Sequence, residues 1–107
     1  MEVNQYEVYC TDLEPAKGSE LKKIRPCIII SPDEMNHNIN TIIIAPMTTT
    51  SKNYPSRVKI EFNMKVCWIV LDQIRCIDKT RLIEKAGVLN SEDILRVKDI
   101  IKEMLVD

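Results

Sequence analysis

The stretch KKIRPCIIISPDE, residues 22–34, places Arg25 directly before Pro26 and an apolar block, Cys27 to Ile30. A guanidinium there is a cation at the lip of a core, and its planar fork of donors suits a phosphate or a carboxylate. Pro26 biases Arg25 towards an extended backbone and so gives the fork a stiff mount. A second polar group follows another apolar run: in APMTTTS, residues 45–51, the chain passes from Met47 into four hydroxyls, Thr48 to Ser51. Two basic stretches lie around them. PAKGSELKKIRP, residues 15–26, sets Lys17, Lys22, Lys23 and Arg25 against Glu20 alone. SKNYPSRVK, residues 51–59, carries Lys52, Arg57 and Lys59 with no acid. Cations, hydroxyls and one carboxylate gathered at strand ends are the materials of an anion site. The plainer reading of the same residues is a solvated loop beside a β-branched strand end.

Other chemistries find less material. His37 is the single histidine, set in the Asn-rich MNHNIN, and reads as a surface residue. With one histidine, and with Cys10, Cys27, Cys67 and Cys76 lacking any C-x-x-C pair, no zinc site is expected. Nothing implies a metal or another cofactor. Gly18 stands alone, so there is no glycine-rich phosphate loop. The acidic pairs Asp33/Glu34 and Glu92/Asp93 fall at helix starts, where capping and the helix dipole account for them.

Five strand-like runs would position these residues: Glu7 to Asp12, Pro26 to Ile30, Thr41 to Met47, Arg57 to Phe62 and Cys67 to Ile77, the last bending near Asp72 or Gln73. CIII and TIIIAPM are apolar on consecutive residues, as in strands covered on both faces. RVKIEF alternates, as in a strand with one wet face. If the second and third runs pair antiparallel, Arg25 and Thr48 become neighbours at one end of the sheet. SPDE predicts a short helix to about Asn38, with Ser31 as N-cap, Pro32 in its first position and Glu34 completing a capping box. Asp78 caps a further turn that Gly87 ends. SEDILRVKDIIKEMLVD is the one full helix, capped by Ser91, with Ile94, Val97, Ile101, Met104 and Leu105 as its apolar stripe. Short strands with a terminal helix describe a mainly β, small, partly open barrel.

The whole chain, 1–107, reads as a single domain. Its 45% apolar and 29% charged residues are those of a globular protein, rich in Ile and Val beside one Phe and one Trp. A formal charge of −1 gives no general basic surface, so any nucleic-acid site must be local. No run nears the ~20 apolar residues of a membrane helix, and the N-terminus lacks a secretory pattern. A cytoplasmic, soluble protein with reduced thiols is expected.

Three blocks carry a family pattern: YCTDLEPAKGSELKKIRPCIIISPDEMN, IIIAPMTTTSKNYP and WIVLDQIRCIDKTRL. In order and spacing, from about Tyr6 to Leu105, the chain resembles the MazF/PemK-type toxins, ribosome-independent endoribonucleases of toxin–antitoxin pairs. The resemblance implies an SH3-like barrel with short helices and a C-terminal α-helix, a homodimer, and an RNA groove along the dimer interface. It implies metal-independent cleavage of single-stranded mRNA at a short sequence, leaving a 2′,3′-cyclic phosphate and a 5′-hydroxyl. It further implies a cognate antitoxin whose flexible acidic tail blocks the groove. The family's catalytic arginine falls on Arg25 and its catalytic threonine on Thr48. Its G-S-E falls on Gly18, Ser19 and Glu20, and its D/E-Q-I-R block on Asp72, Gln73, Ile74 and Arg75. Many members have Gln-Gly-Gly before the R-P; here Leu21, Lys22 and Lys23 make that loop stiffer and more basic.

On that resemblance Arg25 and Thr48 would stabilise charge on the phosphorane oxygens, and Glu20 or a phosphate-bound water would take the 2′ proton. Ser19, Asp72 and Gln73 are candidates for reading bases. Lys22, Lys23, Thr49, Lys52, Arg57 and Arg75 complete the expected RNA surface. The rival of another class is a gyrase-inhibiting CcdB-like toxin. Those act through a C-terminal Trp-Gly-Ile, whereas this chain ends EMLVD with its Trp at position 68. A catalytically silent SH3-like binding module is the third reading; peptide-binding SH3 grooves are aromatic, and aromatics are scarce here.

Overall fold

The structure, a computed structural model, describes residues 2–15, 17–18, 20–21 and 23–106. Among the described residues seven strands form one antiparallel sheet: β1 (Glu7–Asp12), β2 (Ile24–Ile29), β3 (Thr41–Thr48), β4 (Arg57–Phe62), β5 (Lys65–Val70), β6 (Arg75–Asp78) and β7 (Leu82–Val88). A short helix, α1 (Asp33–Asn38), links β2 to β3, and α2 (Ser91–Leu105) ends the chain. The sheet runs β4-β5-β3-β2-β1-β7, with β6 also pairing β3, and curls into the expected half-open barrel.

Two apolar clusters explain the consecutive apolar runs. Ile28, Ala45 and Met47 enter one with Val58, Ile60, Cys67, Ile69 and Val97, the last from α2. Cys27, Ile29, Ile42 and Ile44 enter the other with Tyr9, Leu13, Ile77 and Leu82. β2 and β3 are therefore buried on both faces, which no alternating pattern could be. β4 buries Val58 and Ile60 while Lys59 and Glu61 stay in water, as RVKIEF predicts. Burying a Val or Ile side chain contributes about 1.5–3 kcal/mol, so these two clusters hold the sheet more firmly than any polar contact.

Four local expectations need correction. Pro32, not Ser31, is the N-cap of α1, and no side chain caps it. Ser31 is instead tied to Asn36, its Oγ donating to Asn36 Oδ1 at 2.5 Å while Asn36 Nδ2 donates to Ser31 O at 2.8 Å. The bend at Asp72–Gln73 is real: a 3-10 turn, Leu71–Gln73, splits the expected fifth strand into β5 and β6. Asp78 does cap a 3-10 turn, Lys79–Arg81, accepting from Thr80 N, but the chain then enters β7 and Gly87 lies inside that strand. On α2 the cap is Asn90, whose side chain accepts from Asp93 N at 2.8 Å, one residue before Ser91. The apolar stripe also fades early: Val97 is buried, but Leu105 is exposed.

Candidate active site

Arg25 sits on β2 and Thr48 ends β3. These strands pair as Cys27↔Pro46, Ile28↔Ala45 and Ile29↔Ile44, and extending that register by two residues sets position 25 against position 48. Both residues line one cleft of about 250 Å³, with Ile24, Pro26, Met47, Thr49 and Cys67 completing its wall. Arg25 is half-buried, and its Nη1 donates to Met47 O at 3.4 Å. Thr48 is buried, and its hydroxyl is fixed by Thr50: Thr50 N donates to Thr48 Oγ1 at 3.2 Å, and Thr48 Oγ1 donates to Thr50 O at 3.2 Å. The cleft thus offers a charged donor and a hydroxyl from two strands buried behind them. Arg25 keeps further N–H donors for an anion, while Thr48 can donate to one by turning its hydroxyl proton away from Thr50 O.

A second recess, of about 160 Å³, opens beside Pro46 and gathers Glu20, Leu21, Asp72, Gln73, Ile74 and Arg75. Glu20 therefore lies with the expected base-reading residues rather than in the Arg25 cleft. Its carboxylate accepts from Lys17 N at 2.6 Å within its own loop. Gln73 Oε1 accepts from Leu21 N at 2.7 Å and so pins that loop to the 3-10 turn. Arg75 Nη1 donates to Leu13 O at 3.4 Å.

Arg57 and Asp72 meet each other. The guanidinium grips both carboxylate oxygens at 3.1 Å, a bidentate pair, while Nη1 donates to Ser51 Oγ at 2.8 Å. The Tyr54 ring lies under the same guanidinium, 4.8 Å to its centroid. The Arg57 bond holds the Asp72 carboxyl below its usual range; burial opposes this, and a bond from Ser56 adds to it. Lys52 and Thr49 are exposed on the loop between β3 and β4. Lys23 is exposed too, its N–H donating to Glu14 Oε1 at 3.0 Å. Ser19 and Lys22 lie outside the described residues.

The sequence reading passed over Tyr54 and Trp68. Neither carries a spacing signal in the sequence; the pairing of β3, β5 and β4 sets Trp68 between Thr48 and Lys59. Burial pushes the Cys67 thiol up, with Asp93 adding to the effect, so Cys67 enters the cleft wall as a neutral apolar surface.

A family profile described as "PemK-like, MazF-like toxin of type II toxin-antitoxin system" matches residues 4–105. The chain is 38% identical over 78 residues to Endoribonuclease MazF of Staphylococcus saprophyticus, a match covering 67% of this chain and 65% of that protein. Its fold superposes on the crystal structure of MazF (Form-I) from Deinococcus radiodurans with a TM-score of 0.85 and 22% identity, over 100% of this chain and 99% of that one. It also matches an endoribonuclease in complex with its cognate antitoxin from mycobacterial species, with a TM-score of 0.82 and 18% identity, over 97% and 95% of the two chains. At these identities the structural matches speak to the fold.

Proposed function

The chain belongs to the PemK-like, MazF-like toxin family of type II toxin–antitoxin systems, and from that premise we propose that it is an endoribonuclease toxin that cuts single-stranded mRNA by attack of a 2′-hydroxyl. The observation that carries this reading is the shared cleft of Arg25 and Thr48. In the reaction the 2′-oxygen attacks phosphorus, negative charge gathers on the phosphorane oxygens, and the 5′-oxygen leaves with a proton taken from water. The products are a 2′,3′-cyclic phosphate and a 5′-hydroxyl. Arg25 offers its fork to the phosphorane and Thr48 a neutral hydroxyl beside it. Arginine stays charged throughout, so the 2′ proton must pass to another group. Glu20, in the adjoining recess, is the carboxylate that the loop supplies.

Substrate and partners follow the same chemistry. RNA sequence is read on unstacked base edges, for which Arg75 supplies donors in the recess that Gln73 helps to shape. Lys23 and Lys52 lie exposed on the flanking loops, where they meet phosphates. A homodimer extends the groove, and the basic loop from Lys17 to Arg25 takes the acidic tail of a cognate antitoxin.

Incubating the protein with a long single-stranded RNA in EDTA, followed by mapping of new 5′ ends, tests the reading. Cuts should fall at one short sequence and carry 5′-hydroxyls. Arg25→Ala and Thr48→Ala should each lower cleavage by about 10²- to 10³-fold, the cost of removing one fixed donor from a developing oxyanion. Near-native cutting by either variant, with its circular dichroism unchanged, would remove the proposed chemistry.

A further inference from the structure

Trp68 is the one tryptophan of the chain, and it is a member of neither apolar cluster. Its neighbours Cys67 and Ile69 are buried in the first cluster, so alternation along β5 turns the indole to the opposite face. There it is half-buried. Trp68 pairs with Thr48 of β3 on one side and with Lys59 of β4 on the other, and cross-strand partners share a face. Arg25 lines the same cleft as Thr48 and reaches the carbonyl of the preceding Met47 at 3.4 Å, which sets it beyond Thr48 in the same order. Lys59 Nζ lies 5.7 Å from the indole centroid and is held there as a cation over the ring. Across four strands the row reads cation, indole, hydroxyl, cation. The nearest acid on that hairpin, Glu61, pairs with Val66 two residues further along.

We infer that Trp68 is a base-stacking subsite, where the indole receives the nucleobase next to the phosphate held by Arg25 and Thr48. Lys59 meets that nucleotide's own phosphate. The inference rests on the ribonuclease reading and adds a binding position to it. Every base has a π face, so this subsite contributes affinity and register along the strand rather than a choice of base. The charge order fits one occupant: a planar base flanked by two phosphates would set an anion at each cation of the row.

The lone indole also reports on itself. Wild-type protein is titrated with a single-stranded RNA carrying one 2′-deoxy nucleotide at the cleavage point, and tryptophan emission is followed. Saturable quenching is expected. Trp68→Ala should bind that RNA about 5- to 150-fold more weakly, the range of one stacked base, while Trp68→Phe should keep most of the affinity. An abasic residue at the neighbouring nucleotide should weaken wild type by a similar factor and leave Trp68→Ala unchanged. Bound RNA without quenching, or a folded Trp68→Ala of wild-type affinity, overturns the inference. If Trp68→Ala fails to fold, Trp68→Phe and the abasic RNA decide it. Emission that follows protein concentration but not RNA would mean that a second copy covers the indole, which also overturns it. A wild type that neither binds nor cuts RNA defeats the ribonuclease reading as well; one that cuts normally with a silent indole defeats this inference alone.

Discussion

Arg57 and Gln73 show how side chains that the sequence offers for contact with RNA can be committed within the protein. Arg57 spends its donors on both oxygens of Asp72 and on Ser51, with Tyr54 stacked beneath it. A phosphate would have to displace a bidentate carboxylate, so this cluster acts first to shape the loop between β3 and β4. Gln73 reaches a backbone N–H 52 residues away and fastens the loop that leads to Arg25. Gln73→Ala should lower kcat/KM for RNA about 3- to 10-fold, matching the loss of one hydrogen bond of about 0.5–1.5 kcal/mol, with little change in thermal midpoint. Gln73→Glu keeps the accepting oxygen and should restore most of the rate. An equal loss in Gln73→Glu would place the amide NH₂ on RNA and abolish the loop role. That Arg25 and Thr48 would meet in one cleft was legible, because each borders an apolar run and the two runs pair antiparallel. The Arg57–Asp72 pair was not, since two opposite charges 15 residues apart carry no mark of their meeting.

At the scale of elements, the curl of the sheet depends on a contact between its two ends. β4 and β7 are the first and last strands in the sheet order, yet the Phe62 ring of β4 lies against Gly87 of β7. A Cβ at Gly87 would stand 2.9 Å from Phe62 Cζ and 3.3 Å from Cε1, so the position admits glycine both because the ring fills the space and because its φ of +157° is one that L side chains rarely adopt. Gly87→Ala should cost about 1–3 kcal/mol in urea unfolding, the usual penalty for forcing a packed ring aside. An unchanged midpoint would show that Phe62 moves freely and does not hold the ends together. The same glycine explains why β7 was illegible. LIEKAGV has little β-branched content and no alternation, and it is held by pairing with β1 and by the Lys85–Glu7 bridge at 2.6 Å. Strands rich in Ile and Val announced themselves; β1 and β4 have the bounds that their patterns predict. Caps slipped by one residue because Ser31 and Ser91 each have a polar neighbour or partner that competes for the role.

For the whole molecule, titrating groups shifted by burial or by a charged partner set a pH window. Burial alone would raise the Glu7 carboxyl, but Lys85 Nζ and Asn4 N, at 2.6 and 2.7 Å, hold it below its ordinary 4.5. Asp72 is held below 3.8 by Arg57. Depressed carboxyls contribute stability above their unfolded values and lose it as pH falls through the folded ones, so the acid limb begins below about pH 4.5. Cys27 works in the other direction: burial between β1 and β3 pushes its thiol from 9.0 up to about 12. Its contribution is complete below pH 9.0 and is lost as pH rises towards about 12. Over that interval one such thiol gives a slope approaching about 1.4 kcal/mol per pH unit. Burial raises Tyr6 and Tyr9 as well, and these extend the alkaline loss above 10.0. Urea unfolding across pH should therefore give a plateau near neutrality with a fall on each side. Cys27→Ala should lower the plateau, because a buried side chain is truncated, yet flatten the fall between pH 9 and 10, leaving the smaller share that the raised Cys67 thiol contributes there. An alkaline limb of unchanged steepness in that variant would mean that Cys27 reaches solvent and ionises in the folded state as readily as in the unfolded chain.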